Sequence, residues 1–127
     1  MFEATTHQIR VKVIPAYVQD QSDPVANRYF FSYTVEIENL GAKSVQLVSR
    51  HWIITDGLGQ VEEVTGPGVV GQQPTLQPGE KFQYSSFCPL TTPTGTMQGS
   101  YQMVDGNGQR LEVQIPEFLL VEPSHYH

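Results

Sequence analysis

An all-β fold, an antiparallel β-sandwich of immunoglobulin or fibronectin type III kind with about seven strands and no disulfide, is predicted by three features of this sequence. Apolar residues recur with a period of two, and no segment shows a helical period. Turn signals built from Gly, Pro, Asn and Asp separate these alternating segments at short intervals. The 127 residues carry 16% charged side chains, against roughly 25% in average domains, and include 11 Gly and 9 Pro.

Each strand is justified by its own pattern. Ile9, Val11 and Val13 alternate with Gln8, Arg10 and Lys12, giving a first strand that Pro15 bends or ends. In residues 29–38, Phe31, Tyr33, Val35 and Ile37 take one face and Ser32, Thr34, Glu36 and Glu38 the other, and Asn39-Leu40-Gly41 supplies the turn. Residues 44–55 are apolar in both phases, Val45 and Leu47 in one and Trp52 and Ile54 in the other; a bulge shifts the register or the strand lies centrally. Asp56-Gly57-Leu58-Gly59 is a hairpin turn into residues 60–64. Pro78-Gly79-Glu80 opens a strand over residues 81–88, the loop of residues 89–96 leads to residues 97–104, and Asp105-Gly106-Asn107-Gly108 closes a hairpin onto residues 110–115. Trp52 falls where such sandwiches bury a tryptophan.

One domain over residues 1–127 follows from the length, with the compact part spanning residues 7–121 between flexible termini. The formal net charge is −6 and the seven basic residues are scattered, which disfavours nucleic acid because that partner needs a concentrated positive surface. No apolar run reaches the roughly 20 residues of a membrane span, and the N-terminus lacks the charged and apolar regions of a leader. A cytoplasmic protein is expected, in agreement with the single cysteine, Cys88, which has no partner for an internal disulfide.

Gly66-Pro67-Gly68-Val69-Val70-Gly71 spells the GxGxxG of dinucleotide-binding loops. A dinucleotide site needs a helix after the glycines, whose free N–H groups and dipole hold the pyrophosphate. Here Pro74 and Pro78 follow and deny a helix its hydrogen bonds. Gly66, Gly68 and Gly71 are therefore expected to form a loop between strands, with an anion-binding nest of backbone amides as the functional alternative. Glu62 and Glu63 just upstream oppose a phosphate there. Arg50 and Trp52 are the further ligand candidates, an arginine for an anion and a tryptophan for stacking. They share one strand face and His51 points the other way.

No metal or other cofactor is implied. Asp20 with Asp23, Glu62 with Glu63, and His125 with His127 flanking Tyr126 match no ligand spacing. Cys88 has no histidine near it in sequence to lower its pKa, and Ser85 and Ser86 lack a nucleophile-elbow context, so no catalytic constellation is visible.

Four blocks carry a family resemblance: residues 49–56 (SRHWIITD), 64–74 (VTGPGVVGQQP), 76–80 (LQPGE) and 92–101 (TPTGTMQGSY). In that order they resemble the signature blocks of the bacterial ApaG family, and the likeness spans residues 9–121. The resemblance implies a fibronectin-like sandwich and a cytoplasmic protein associated with cobalt resistance and magnesium efflux. Genes of the family neighbour that of a diadenosine tetraphosphate hydrolase, and related domains occur in eukaryotic F-box proteins with an inferred interaction role. The expected function is a non-enzymatic module that binds another protein, or itself as a homodimer, through an exposed patch near Phe30, Tyr17 or the glycine loop. The alternative is a sensor or enzyme for a nucleotide or polyphosphate that uses Gly66–Gly71 with Arg50.

Overall fold

A computed structural model describes residues 1–125. Nine strands occur in chain order: β1 (Phe2–Thr6), β2 (Ile9–Tyr17), β3 (Tyr29–Asn39), β4 (Val45–Asp56), β5 (Val61–Pro67), β6 (Thr75–Leu76), β7 (Lys81–Leu90), β8 (Thr94–Asp105) and β9 (Arg110–Val121). The only helical elements among the described residues are three-residue 3₁₀ turns. One sheet has the order β1-β2-β3-β7 and the other β5-β4-β8-β9, with β6 also on β4. All pairings are antiparallel.

The alternation read from the sequence is the burial pattern observed. Along β3, Phe31, Tyr33, Val35 and Ile37 are buried, and Val11 and Val13 of β2 join them. The facing sheet contributes Leu47, Trp52, Met97, Tyr101, Met103, Val113, Phe118 and Leu120 to the same core. Asn39, fully buried at the end of β3, keeps its polar atoms paired. Its Nδ2 donates to the carbonyls of Lys43 and Leu76, and its Oδ1 accepts the Gly41 amide, so the expected turn there is tied to the core.

Several boundaries differ from the sequence reading, and the loop expected over residues 89–96 shrinks to residues 91–93 because β7 runs to Leu90 and β8 begins at Thr94. Phe2–Thr6 forms a strand that pairs with Ile9–Val13, although the compact part was expected to begin at residue 7. Its two-residue turn uses His7 (φ 51°) and Gln8 (φ 63°), left-handed positions without the Gly or Asn that signals such a hairpin. Pro15 does not end β2: the strand runs to Tyr17, with Pro15 opposite Tyr33. The β1 partner of β2 stops at Val13, so Pro15 lies where its missing N–H costs no ladder bond. The last strand continues past Ile115 because residues 116 and 117 together oppose Gln98 in a bulge, after which Phe118 pairs Met97. A further difference is β6, a two-residue strand too short for periodicity to reveal.

β4 combines both readings of its mixed apolar phases. It lies centrally, with β8 on one side and β5 and β6 on the other. A register shift between Leu47 and Ser49 leaves Val48 unpaired with β8. That bulge moves Val45 and Leu47 on one phase, and Trp52 on the other, into the same core.

Candidate functional site

The first two residues of the glycine motif, Gly66 and Pro67, end β5 opposite Arg50 and Ser49, so Gly66 lies in a strand and not in the expected loop. Residues 68–71 form an excursion between β5 and β6, two strands that pair along the same side of β4. No helix follows it. Gly68 takes φ +59° and donates its amide to the carbonyl of Val48, the bulged residue, at 2.8 Å. Val69 turns inward and is 1% exposed. Val69 and Gln72 then exchange two backbone bonds, 2.8 and 2.9 Å, enclosing Val70 (φ 42°) and Gly71 (φ 80°) in a two-residue turn with both central residues left-handed. The Gln73 side chain donates to the same Val48 carbonyl at 2.9 Å.

Arg50 fastens the opposite side of the excursion. Its Nη1 donates to the carbonyls of Pro67 (3.0 Å) and Gly68 (2.9 Å), and its guanidinium crosses over Gly66, where a Cβ would lie 3.0 Å from Nη1. Gly66 therefore leaves room for the clamp, and Gly68 permits the backbone to fold against Gln72, whose carbonyl a Cβ would meet at 2.2 Å. The amides of Gly68, Val69 and Gln72 are occupied internally, which leaves those of Val70 and Gly71 at the tip. An arginine committed to two carbonyls, with two outward amides beyond it, is a clamped rigid turn.

Trp52 lies on the same face as Arg50, as expected, but far deeper. It is 3% exposed and packs edge-on against Tyr33 (5.3 Å between centroids), Phe118 (5.9 Å) and Tyr101 (6.5 Å). A ring enclosed by both sheets is a core residue without a free face for stacking. His51 emerges on the opposite face, where its Nε2 lies 2.9 Å from Oε1 of Glu63 on β5.

Beneath the clamp lies a group that residue spacing did not reveal, because its members come from β3, β7 and β8. The hydroxyls of Tyr84 and Tyr101 meet at 2.5 Å in the core, with Tyr33 alongside. Burial raises the pKa of all three above the usual tyrosine value, an effect that the nearby positive charge of Arg50 only partly offsets. Burial also pushes the Cys88 thiol up to about 11, so it stays protonated and unreactive near neutral pH.

Two predictions arise here. Tyr84→Phe leaves the Tyr101 hydroxyl buried without its partner and costs about 1–3 kcal/mol, whereas Tyr84→Phe with Tyr101→Phe removes both groups and recovers most of that loss in urea melts. The raised tyrosines also make the fold alkali-sensitive. Unfolded tyrosines ionise near the ordinary 10.0 while the folded ones hold their protons, so their stabilisation is full below about pH 10 and falls above it. The slope is about 1.4 kcal/mol per pH unit for each tyrosine. Urea midpoints are expected to drop steeply from pH 10 upward; a flat profile would contradict the burial of these hydroxyls.

Of the acidic and histidine pairs considered for metals, Glu62 and Glu63 sit on edge strand β5. Among the described residues no three His, Cys, Asp or Glu side chains converge. Tyr126 and His127 lie outside the described residues.

Two antiparallel sheets, one regular and the other bulged at β4 and β9, packed around a single tryptophan with a clamped turn on an edge strand, define a fibronectin type III-like β-sandwich domain. The ApaG domain matches residues 19–105, and the chain belongs to the ApaG family. It is similar to Protein ApaG of Thiobacillus denitrificans, 54% identical over 127 residues and the full length of both chains. It is also similar to Protein ApaG of Bordetella pertussis, 55% identical over 121 residues, covering 95% of this chain and 92% of that one. A crystal structure of the ApaA protein of Bordetella pertussis superimposes with a TM-score of 0.90 at 55% identity, covering 94% of this chain and 97% of that one. The C-terminal domain of wzt shares the fold alone, with a TM-score of 0.55 at 11% identity over 94% of this chain and 76% of that one.

Proposed function

We propose that this chain is a non-enzymatic, cytoplasmic binding module that engages a partner protein through the clamped turn at Val70, within the cobalt-resistance and magnesium-efflux role its family resemblance suggests. The observation that carries this reading is Val70 itself. It is β-branched, left-handed at φ 42°, and 53% exposed at the tip of a turn anchored by Val69. A valine there costs about 1–2 kcal/mol relative to an extended one, and the surrounding bonds hold it in that state. Backbone strain that presents an apolar side chain to solvent suits contact with another protein, whose apolar surface would cover it.

Val70→Asn tests the reading. Asn accepts the left-handed conformation, so the variant is expected to melt higher by about 1 kcal/mol in stability while losing the partner that the parent chain retains from native cytoplasm. A variant that captures the same partner equally well would refute it. Backbone amide shifts during titration with ATP, a diadenosine polyphosphate, Mg²⁺ or Co²⁺ address the nucleotide alternative. Under the proposed reading the Val70 and Gly71 resonances stay in place; saturable movement would favour a ligand there instead.

A further inference from the structure

The outer face of the β1-β2-β3-β7 sheet carries a charge pattern unlike the rest of the molecule. Its cations Arg10, Lys12 and Lys81 are matched by three carboxylates, Glu3, Glu36 and Glu38. Glu3 and Glu36 both stand opposite Lys12 in the register, on the two neighbouring strands. Arg10 is bonded to Glu38, and Lys81 lies 3.8 Å from Glu36. The formal charge of −6 therefore resides entirely on the other surfaces.

Beyond these pairs the face has no ionisable group. The remaining outward positions are polar but uncharged (Thr5, Ser32, Thr34, Gln83 and Ser85) or apolar (Ile14, Ala16, Phe30, Phe87 and Pro89). Phe87 is 57% exposed and Ile14 55%, and the Phe87 ring lies on that of Phe30 with centroids 5.3 Å apart. A lone exposed apolar side chain is ordinary; an aromatic pair in a neutral field on an acidic protein forms a patch.

We infer that this face is a homodimer interface, on which a second copy of the chain packs sheet against sheet about a two-fold axis, with Phe87 and Phe30 as its apolar anchor at the corner where β3 begins and β7 ends. Charge selects that occupant. A second acidic copy meets net repulsion at other surfaces and none here, while a basic partner would be drawn to the surfaces that carry the excess carboxylates. The geometry favours face packing over extension of the sheet, since Pro89 on edge strand β7 has no N–H to offer a neighbouring strand. The size suits a weak dimer. Strands of 5, 9, 11 and 10 residues, at about 3.3 Å per residue and about 4.8 Å apart, give roughly 550 Å² before side-chain relief, the scale of a weak, concentration-dependent interface.

Sedimentation equilibrium of the full chain from micromolar to millimolar concentration tests this. Dimerisation is expected, with Phe87→Ser raising the dissociation constant by at least about tenfold and leaving the thermal midpoint unchanged at concentrations low enough that both chains are monomeric. Leu58→Ser, at a still more exposed apolar position in the β4–β5 turn, serves as the control and leaves the association intact. A chain that is monomeric throughout, or a dimer weakened by Leu58→Ser and indifferent to Phe87→Ser, would overturn the inference. The face is on the sheet opposite the Val70 turn, so partner capture through that turn is unaffected by either result.

Discussion

Gly68→Val is expected to destabilise the domain by about 3 kcal/mol or more, with a fall in thermal midpoint on the order of 10 °C. Two costs coincide at this position. The backbone is left-handed at φ +59°, and the new Cβ would lie 2.2 Å from the Gln72 carbonyl oxygen and 3.0 Å from its carbon. Neither obstacle is a flexible side-chain end, so relief requires the Val69–Gln72 turn to open. Opening it withdraws the Gly68 amide from Val48 and the Gly68 carbonyl from Arg50. Val69 then leaves the core, where it is 1% exposed.

Gly71→Ala provides the contrast. Its φ is +80° but nothing lies within 4 Å of a Cβ there, so only the conformational cost of about 1 kcal/mol applies. Within this motif, then, the glycines are unequal for steric reasons: Gly66 makes room for Arg50, Gly68 for Gln72, and Gly71 serves only its dihedral angle. Equal midpoints for Gly68→Val and the parent chain would invalidate this account of the loop.

The same motif shows how far the sequence could be read. Pro74 and Pro78 sufficed to exclude the helix that a phosphate site requires, because proline's effect is local. Period-two alternation located β3 and most of β2, β4, β7 and β8, since one face of each is buried and the other wet. The long-range partners of the loop were not legible. Nothing near Gly68 in the chain indicates Val48, and the only trace of that bulge was the change of apolar phase between Leu47 and Trp52. The Tyr84–Tyr101 pair was equally hidden, its members lying on opposite sheets. The edges of the fold were misread where strands depart from the usual signals, as at His7-Gln8, or tolerate proline, as at Pro15 and Pro116.

Trp52 separates a structural from a binding role most sharply. Trp52→Ala is expected to cost about 3–5 kcal/mol, a large share of the roughly 5–15 kcal/mol that holds a domain folded. The ring joins Tyr33 of one sheet to Tyr101 and Phe118 of the other, so its removal leaves a cavity at the centre of the sandwich and forfeits three edge-on aromatic contacts. Neighbouring strands held by their ladders cannot collapse to fill it. Trp52→Phe, which keeps an aromatic ring in the same space, should lose only a fraction of that stability. A ligand-stacking tryptophan would behave in the opposite way, tolerating Ala in urea melts while losing affinity. Because this is the only tryptophan in the chain, its fluorescence reports on the site directly. Blue-shifted emission resistant to acrylamide is expected in the folded state, and strong quenching would place the ring at the surface and contradict its role in the core.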